Sequence, residues 1–456
     1  MQKDRSYKIQ GKSKFLLPVT WVTFGYLIYI ILLYVLSIFI WSQNRSEEFV
    51  TYKYLVNIDE AKLIISIILS TSMWYLVIKK YYKAEDFSSQ VILLLILLYF
   101  ILGVVLAGAL NFEWGYLFEY YIYFLILLLA DGFLRRPRGP FLAFQNRSLE
   151  YLQKILIIMS FLVPLFMLVY FRSSFSLTEI ILTLNDPYGT RIAAREANTR
   201  WLILAIEYWG AYFSCFMITY SLKNKKILLA VIYIIFELFY FTLQGNRIFV
   251  FYIGVAVVLG LFHLNNKTIT TGFVAFLAAQ VIESIFISSH SSIGLFTNVF
   301  RRFCVVPNII STQYFDFFKT HSPDWLTGTF TGLFGLLGVK SEYGSNVGYI
   351  IGSTYYGWRM NANNGMFGGA LFEFGKLGIL IDPIMFVLVL RLIEKILFKS
   401  DKELKFIIAA VYASLAINLT TIWAGMFRLT PTLLFILSCM VFCHGIRDEQ
   451  LDTSTI

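Results

Sequence analysis

Residues 90–134 read QVILLLILLYFILGVVLAGALNFEWGYLFEYYIYFLILLLADGFL, and this stretch decides the fold. Its first part, 90–110, contains no charged side chain. At about 1.5 Å per residue, some twenty apolar residues cross a hydrocarbon layer roughly 30 Å thick. A second apolar run, 112–134, follows almost at once, so the pair reads as a helical hairpin across a bilayer. Directly behind it stand Arg135, Arg136 and Arg138. Basic clusters of this kind are kept on the cytoplasmic side of short loops.

Working outward, the same grammar fills the chain. Of 456 residues, 58% are hydrophobic and only 14% charged, with mean hydropathy +0.69. No single soluble core hides that much apolar surface, so lipid is the expected solvent. Twelve runs qualify as spans, near 15–41, 61–79, 90–110, 112–134, 150–171, 200–222, 227–243, 247–264, 268–288, 377–398, 406–427 and 432–446. The expectation is an all-α, polytopic integral membrane protein of about 12 transmembrane helices, forming one membrane domain over 1–456. The first run is too long for a signal h-region and lacks a small-residue cleavage site, so it is expected to span rather than be removed. Four cysteines, Cys215, Cys304, Cys439 and Cys443, show neither metal spacing nor a disulfide framework. The net charge of +10 suits contact with anionic lipid heads, and without a soluble basic domain nucleic acid is not an expected partner.

Lys and Arg set the orientation. With the N-terminus inside, the dense clusters Arg135, Arg136, Arg138 and Lys223, Lys225, Lys226 fall in short inner loops. Both termini are then cytoplasmic. The two long connections, 172–199 and 289–376, lie outside, the second between spans nine and ten and carrying short helices. The positive charges on that outer side are mostly arginine: Arg191, Arg195, Arg200, Arg247, Arg301, Arg302, Arg359 and Arg428. Lysine there is sparse. Arginine's planar fork suits two-point contact with phosphate oxygens, which points to an anionic ligand outside.

The individual segments sharpen this. In NDPYGTRIAAREANTR, 185–200, Arg191 and Arg195 stand four apart and share a helix face; an interfacial helix resting on lipid heads is the plainer alternative. Arg247 follows Gly245 and Asn246 at a span entrance, where snorkelling is the plainer reading and Glu207 or Glu237 a possible intramembrane partner. Arg301 and Arg302 lie in an apolar stretch just before Pro307, and HSPDWLTGTFTGLFGLLG, 321–338, has the composition of a membrane-skimming segment. The connection closes with NANNGMFGGALFEFGKLGILIDP, 361–383, in which Glu373 sits where an apolar span begins. Glu373 and His321 are the candidate catalytic groups, ahead of His290 and Asp316; a histidine in a polar loop is otherwise simply solvated. There is no phosphate-binding glycine loop, no HExxH and no acidic cluster for a divalent metal, so neither metal nor cofactor is expected.

The outer DPYGTR, the GNRIF at a span entrance, FRRFCVVPNIISTQYFDFF and the closing NANNGMFGGALFEFGKLGILI occur in an order that resembles the Wzy-type oligosaccharide repeat-unit polymerases of O-antigen, capsule and related polysaccharides. The resemblance covers about residues 185–383. It implies the C-type glycosyltransferase architecture and a site on the outer face of the bacterial cytoplasmic membrane. It further implies a donor and an acceptor glycan, both linked to undecaprenyl diphosphate, with a chain-length regulator and membrane lipid as partners. Arg191, Arg195, Arg247, Arg301, Arg302 and Arg428 become the candidate diphosphate ligands, and which of them serves donor or acceptor stays open. Two alternatives stand beside it: an O-antigen ligase, which shares the architecture, and a flippase for lipid-linked oligosaccharide.

Overall fold

A computed structural model describes residues 10–43, 47–81, 85–134, 136, 146–171, 207–244, 248–262, 266–286, 294–328, 331–343, 347–358, 360–362, 365–398, 400–418, 436–439 and 441–442. Among these, all regular structure is helical. The helices are α1 (Gln10–Val35), α2 (Glu47–Thr51), α3 (Glu60–Tyr81), α4 (Phe87–Leu95), α5 (Ile101–Ala109), α6 (Trp114–Phe133) and α7 (Asn146–Tyr170). They continue as α8 (Cys215–Lys223), α9 (Ile227–Gln244), α10 (Ile248–Leu261), α11 (Asn266–Phe286), α12 (Leu295–Phe300) and α13 (Val306–Phe317). The last five are α14 (Thr331–Leu336), α15 (Val347–Tyr356), α16 (Gly365–Phe374), α17 (Gly378–Ile396) and α18 (Lys402–Asn418). Wider π-helical turns interrupt or extend helices at Leu36–Ile40, Ile96–Phe100, Glu207–Ser214 and Arg301–Val305.

Among the described residues, six helices are long and apolar enough to cross a membrane: Val22–Gln43, Glu60–Val77, Phe87–Ala109, Trp114–Phe133, Glu150–Tyr170 and Thr268–Phe286. This is the architecture of a polytopic membrane protein. The other six expected spans are less complete. Ile227–Leu243 and Phe249–Leu261 are apolar but shorter. Helix α17 carries Asp382, Arg391, Glu394 and Lys395 along its length, and the runs 200–222, 406–427 and 432–446 extend beyond the described residues.

Burial sorts the helices into centre and rim. The continuous stretch α4–π–α5, from the opening quotation, is 94% buried and forms the axis of the bundle, whereas the apolar windows of α7 and α11 are each only 17% buried. Asp86 caps the start of α4 by accepting from Ser89 N at 3.0 Å. Helix α3 packs on α5, α18 on α4, and α17 on α6. On α7 the exposed side chains include Ile155, Ile158, Leu162, Phe166 and Val169, a face that only lipid covers without penalty.

The stretch 294–317, read from sequence as part of an external loop, is instead a helix packed into the bundle. Gly103 on α5 explains how it comes so close: a Cβ there would meet Asn308 Oδ1 at 2.4 Å and Tyr120 Cε1 at 2.7 Å. Asn308 ties the layers together, accepting from Tyr120 Oη at 2.8 Å and donating to Cys304 O at 2.7 Å. Ser311 and Tyr99 share a hydroxyl–hydroxyl bond of 2.5 Å. Two arginines and a proline within an apolar sequence hid this packing.

Candidate functional site

Helix α6 gives the bundle two named ends, with Glu113 at its start and Asp131 near its finish, about 27 Å apart by helical rise. Every candidate that can be placed sits on or near α12–π–α13 and α16, and both ends of this region reach the Glu113 end. Lys319 on the turn after α13 bridges to Glu113. The connection between α1 and α3, against which Arg301 and Arg302 lie, is tied there by Asn57 N to Ala109 O at 3.1 Å.

The helix bearing Arg301 and Arg302 is anchored at its start. Glu283, on α11, accepts from the backbone N–H groups of Phe296 at 3.0 Å and Thr297 at 2.9 Å. These are two of the donors that the first turn of any helix leaves unsatisfied. Gly294, the N-cap residue, leaves room for this carboxylate, because a Cβ there would fall 1.9 Å from Glu283 Cδ. One turn later the helix widens, and Val306 N–H reaches back to Arg301 O. Pro307 supplies the reason: it has no N–H to give Phe303 O, and its ring would crowd that carbonyl in a regular α-turn. Such π-turns recur at functional sites because they turn side chains out of helical register.

The widened turn puts both guanidinium groups against the connection between α1 and α3. Arg301 is 1% exposed. Its Cζ lies 5.8 Å from the Phe49 ring centre and 5.7 Å from that of Tyr52, and its Nη2 donates to Asn298 Oδ1 at 3.5 Å. Trp41, Phe49, Tyr54 and Phe300 pack ring against ring behind it. Burial pulls the Arg301 guanidinium down to about 9, which leaves it protonated at neutral pH. Arg302 is half-buried, and its Nη1 donates to the Tyr52 hydroxyl at 3.4 Å. Tyr52 in turn meets Tyr356 edge-on, 5.6 Å between centres, and Gln313 donates to the Tyr356 hydroxyl at 2.6 Å. Lys53 donates to Tyr355 O at 3.1 Å, and Tyr355 Oη to Asp316 at 2.8 Å. Paired cations thus lead into an aromatic and polar strip along α13.

His321 and Glu373 share a second corner. The His321 ring stacks on Phe317, 3.8 Å between centres, with Nδ1 2.9 Å from Phe317 O and 3.0 Å from Thr320 Oγ1. Glu373 is buried on α16, within electrostatic range of Tyr123. The strap after His321 is bonded to α16 by Asp324 N to Phe372 O at 2.8 Å and Trp325 N to Glu373 O at 2.9 Å. Asp324 braces the strap, accepting from Thr327 Oγ1 at 3.0 Å and from Gly328 N and Ser341 Oγ.

Arg301 and Arg302 lie toward one end of this helix, and His321 follows its other end, exposed and stacked on Phe317, while the Glu373 side chain is buried on α16 and only its backbone meets the strap. From Arg302 to Phe317 the rise alone is about 22 Å. The sequence offered the arginines as diphosphate ligands and Glu373 or His321 as alternative bases, and the length of that helix lies between Arg302 and His321. The candidates Arg191, Arg195, Arg247 and Arg428, with Arg200, Arg359 and His290, lie outside the described residues. Asn298 was missed, although it stands one turn before Arg301. Phe49, Tyr52 and Glu283 were missed too, since nothing in their spacing signals a contact with a segment so distant in sequence. Among the described residues no group of His, Cys, Asp and Glu could hold a metal ion. The chain matches no protein-family model, no curated protein and no solved structure.

Proposed function

We propose that the chain joins undecaprenyl-diphosphate-linked oligosaccharide repeat units on the outer face of the bacterial cytoplasmic membrane, by metal-independent glycosyl transfer. The Glu113 end is then the outer end. The observation that carries this reading is the Arg301–Arg302 pair, held in a π-turn with one guanidinium buried between aromatic rings. In the reaction an acceptor hydroxyl oxygen bonds to the anomeric carbon of the donor's reducing-end sugar. The bond from that carbon to the phosphate oxygen breaks, its electron pair leaves with undecaprenyl diphosphate, and the hydroxyl proton is released. Fixed cations at the departing oxygen stabilise the charge that gathers there. The separation along α13 revises the roles of Glu373 and His321. They stand too far from the arginine pair to take a proton at the anomeric carbon. His321, exposed at the far end of the helix, is assigned instead to contact with the glycan, while Glu373 is buried and serves packing.

The test is purified protein in lipid with a lipid-diphosphate repeat unit. Arg301→Ala is expected to lower the rate of chain extension by about 10²–10³, the typical cost of one lost charge-stabilising contact. Arg301→Ala and Arg302→Ala proteins that fold and extend glycan at the normal rate would end the proposal. One observation favours a transport reading instead: Glu237, a carboxyl buried among apolar helices, is a residue type common on proton pathways of transporters. A deletion strain separates the readings. Surface glycan reduced to one repeat unit supports the polymerase, polymer left on undecaprenyl lipid supports a ligase, and no repeat unit outside supports a flippase.

A further inference from the structure

Helix α9 packs against α8, α10 and the π-helical segment Glu207–Ser214. Near its middle, Glu237 has no exposed surface, and neither carboxyl oxygen has a hydrogen-bond partner among the described residues. The Tyr240 hydroxyl, three residues on and therefore on the same face, also lacks one. Around the carboxyl, within electrostatic range, stand Cys215 of α8 and Tyr252 of α10. Both are otherwise occupied: Cys215 Sγ donates to Tyr252 O at 3.5 Å, and the Tyr252 hydroxyl is paired with Ser414 of α18.

An ionised carboxylate buried without a cation or a donor costs more than a bundle of this kind holds in reserve. Of the titratable groups within electrostatic range of Glu237, Cys215 comes from α8, Tyr252 from α10 and Tyr240 from α9 itself, and Tyr212 of the π-helical segment and Tyr233 of α9 stand one step further off, against Tyr252 and Tyr240. None of them is a cation. The pairing with Arg247 that the sequence suggested lies outside the described residues.

We propose that Glu237 is an intramembrane proton-binding site, occupied at neutral pH, with the Tyr240 hydroxyl as its polar neighbour on the helix. The proton is the ligand. The carboxyl gives it up only when the α8–α9–α10 packing opens to a base or to solvent. This inference does not depend on the transferase reading, since it concerns another part of the molecule and has its own readout.

The experiment compares the full chain with Glu237→Gln in lipid nanodiscs. A site that binds its proton more tightly folded than unfolded loses stability as pH rises above the ordinary carboxyl range, near 4.3. Glutamine mimics the neutral acid and does not titrate. The balance between the two proteins is therefore expected to move toward glutamine by about tenfold in the unfolding equilibrium per pH unit until the folded protein itself titrates. Infrared difference spectra at neutral pH should show a protonated-carboxyl band that Glu237→Gln lacks. A wild type that is the more stable protein at neutral pH, with the margin holding or growing at higher pH, would overturn the proposal, because the carboxylate would then be ionised and paired. Absence of the protonated band would overturn it as well. If Glu237→Gln does not fold, the wild-type protonated-carboxyl band followed with pH decides alone.

Discussion

Two buried arginines, Arg301 at the Glu113 end and Arg391 at the Asp131 end, show opposite uses of the same side chain. Arg391 Nη2 donates to Asp131 Oδ1 at 2.6 Å and to Asp131 O at 2.9 Å, while Nη1 donates to Glu394 at 3.0 Å. Asp131 also accepts from Tyr81 at 2.9 Å and pairs with Lys80 at 2.8 Å, and Ser88 donates to Glu394. That knot joins α3, α4, α6 and α17, with protein carboxylates balancing protein cations. Arg301, by contrast, donates to the Asn298 amide at 3.5 Å and stands over the rings of Phe49 and Tyr52. The first arrangement fastens helices. The second sets a buried cation among aromatic rings at the widened turn where the proposed reading places the lipid diphosphate.

The strongest way to break this comparison is to open the knot. Asp131→Ala leaves Arg391 and Lys80 without their shared carboxylate, and truncating one partner of a buried ion pair typically costs about 3–5 kcal/mol. Unfolding of the purified protein in detergent should show a loss of that order. A loss below about 1 kcal/mol would mean that water already reaches the site and that the contrast with Arg301 is empty.

Next comes Arg301→Lys, which keeps the charge but removes the planar fork. Lysine is no substitute where two oxygens are held at once. Glycan extension is expected to fall by about tenfold to a hundredfold with the fold retained, a smaller loss than Arg301→Ala. Unchanged extension by the lysine variant would mean that a point charge suffices there.

How far could the two ends be told apart from sequence? The apolar runs at 90–110, 112–134 and 150–171 announced their helices, because length and the absence of charge are local properties. The arginine at the Asp131 end was passed over because its partner lies 260 residues away, and no window of sequence connects Asp131 to Arg391. At the other end, Arg301 and Arg302 were singled out as candidates, but their segment looked like loop. Two charges and Pro307 lowered its hydropathy, although Phe303, Cys304, Val305, Ile309 and Ile310 are all core. The distance between that pair and His321 follows from helix geometry, and became visible only once 294–317 was known to be one continuous helical element.

A smaller effect tests how firmly the Arg301 helix is set. Gly294→Ala forces a Cβ into the Glu283 carboxyl, so the cap on Phe296 and Thr297 must shift or break. Losing a side-chain cap costs about 0.5–2 kcal/mol. Unfolding should register that cost, and Glu283→Ala should match it. Combined in one protein the two changes should not add, since both remove the same pair of hydrogen bonds.

The smallest effect is expected at the Lys319–Glu113 bridge, also at the Glu113 end. Its side chains are 31% and 55% exposed, and Asp316 lies 3.5 Å from the same ammonium group. Exposed pairs of this kind contribute about 0.2–1 kcal/mol, and salt screens them. The bond to Glu113 raises the Lys319 ammonium above its ordinary range. Its contribution is therefore complete below the unfolded lysine value, near 10.4, and is lost only as pH climbs through the folded value. A double-mutant cycle with Lys319→Ala and Glu113→Ala should give a coupling below about 0.5 kcal/mol that does not change between about pH 6 and pH 9 and shrinks at high salt. A coupling above about 1 kcal/mol, indifferent to salt, would place this bridge with the Asp131 knot as a desolvated fastening. The Glu113 end would then be as closed as the other, and an open approach for a charged lipid headgroup would have to be sought elsewhere on the molecule.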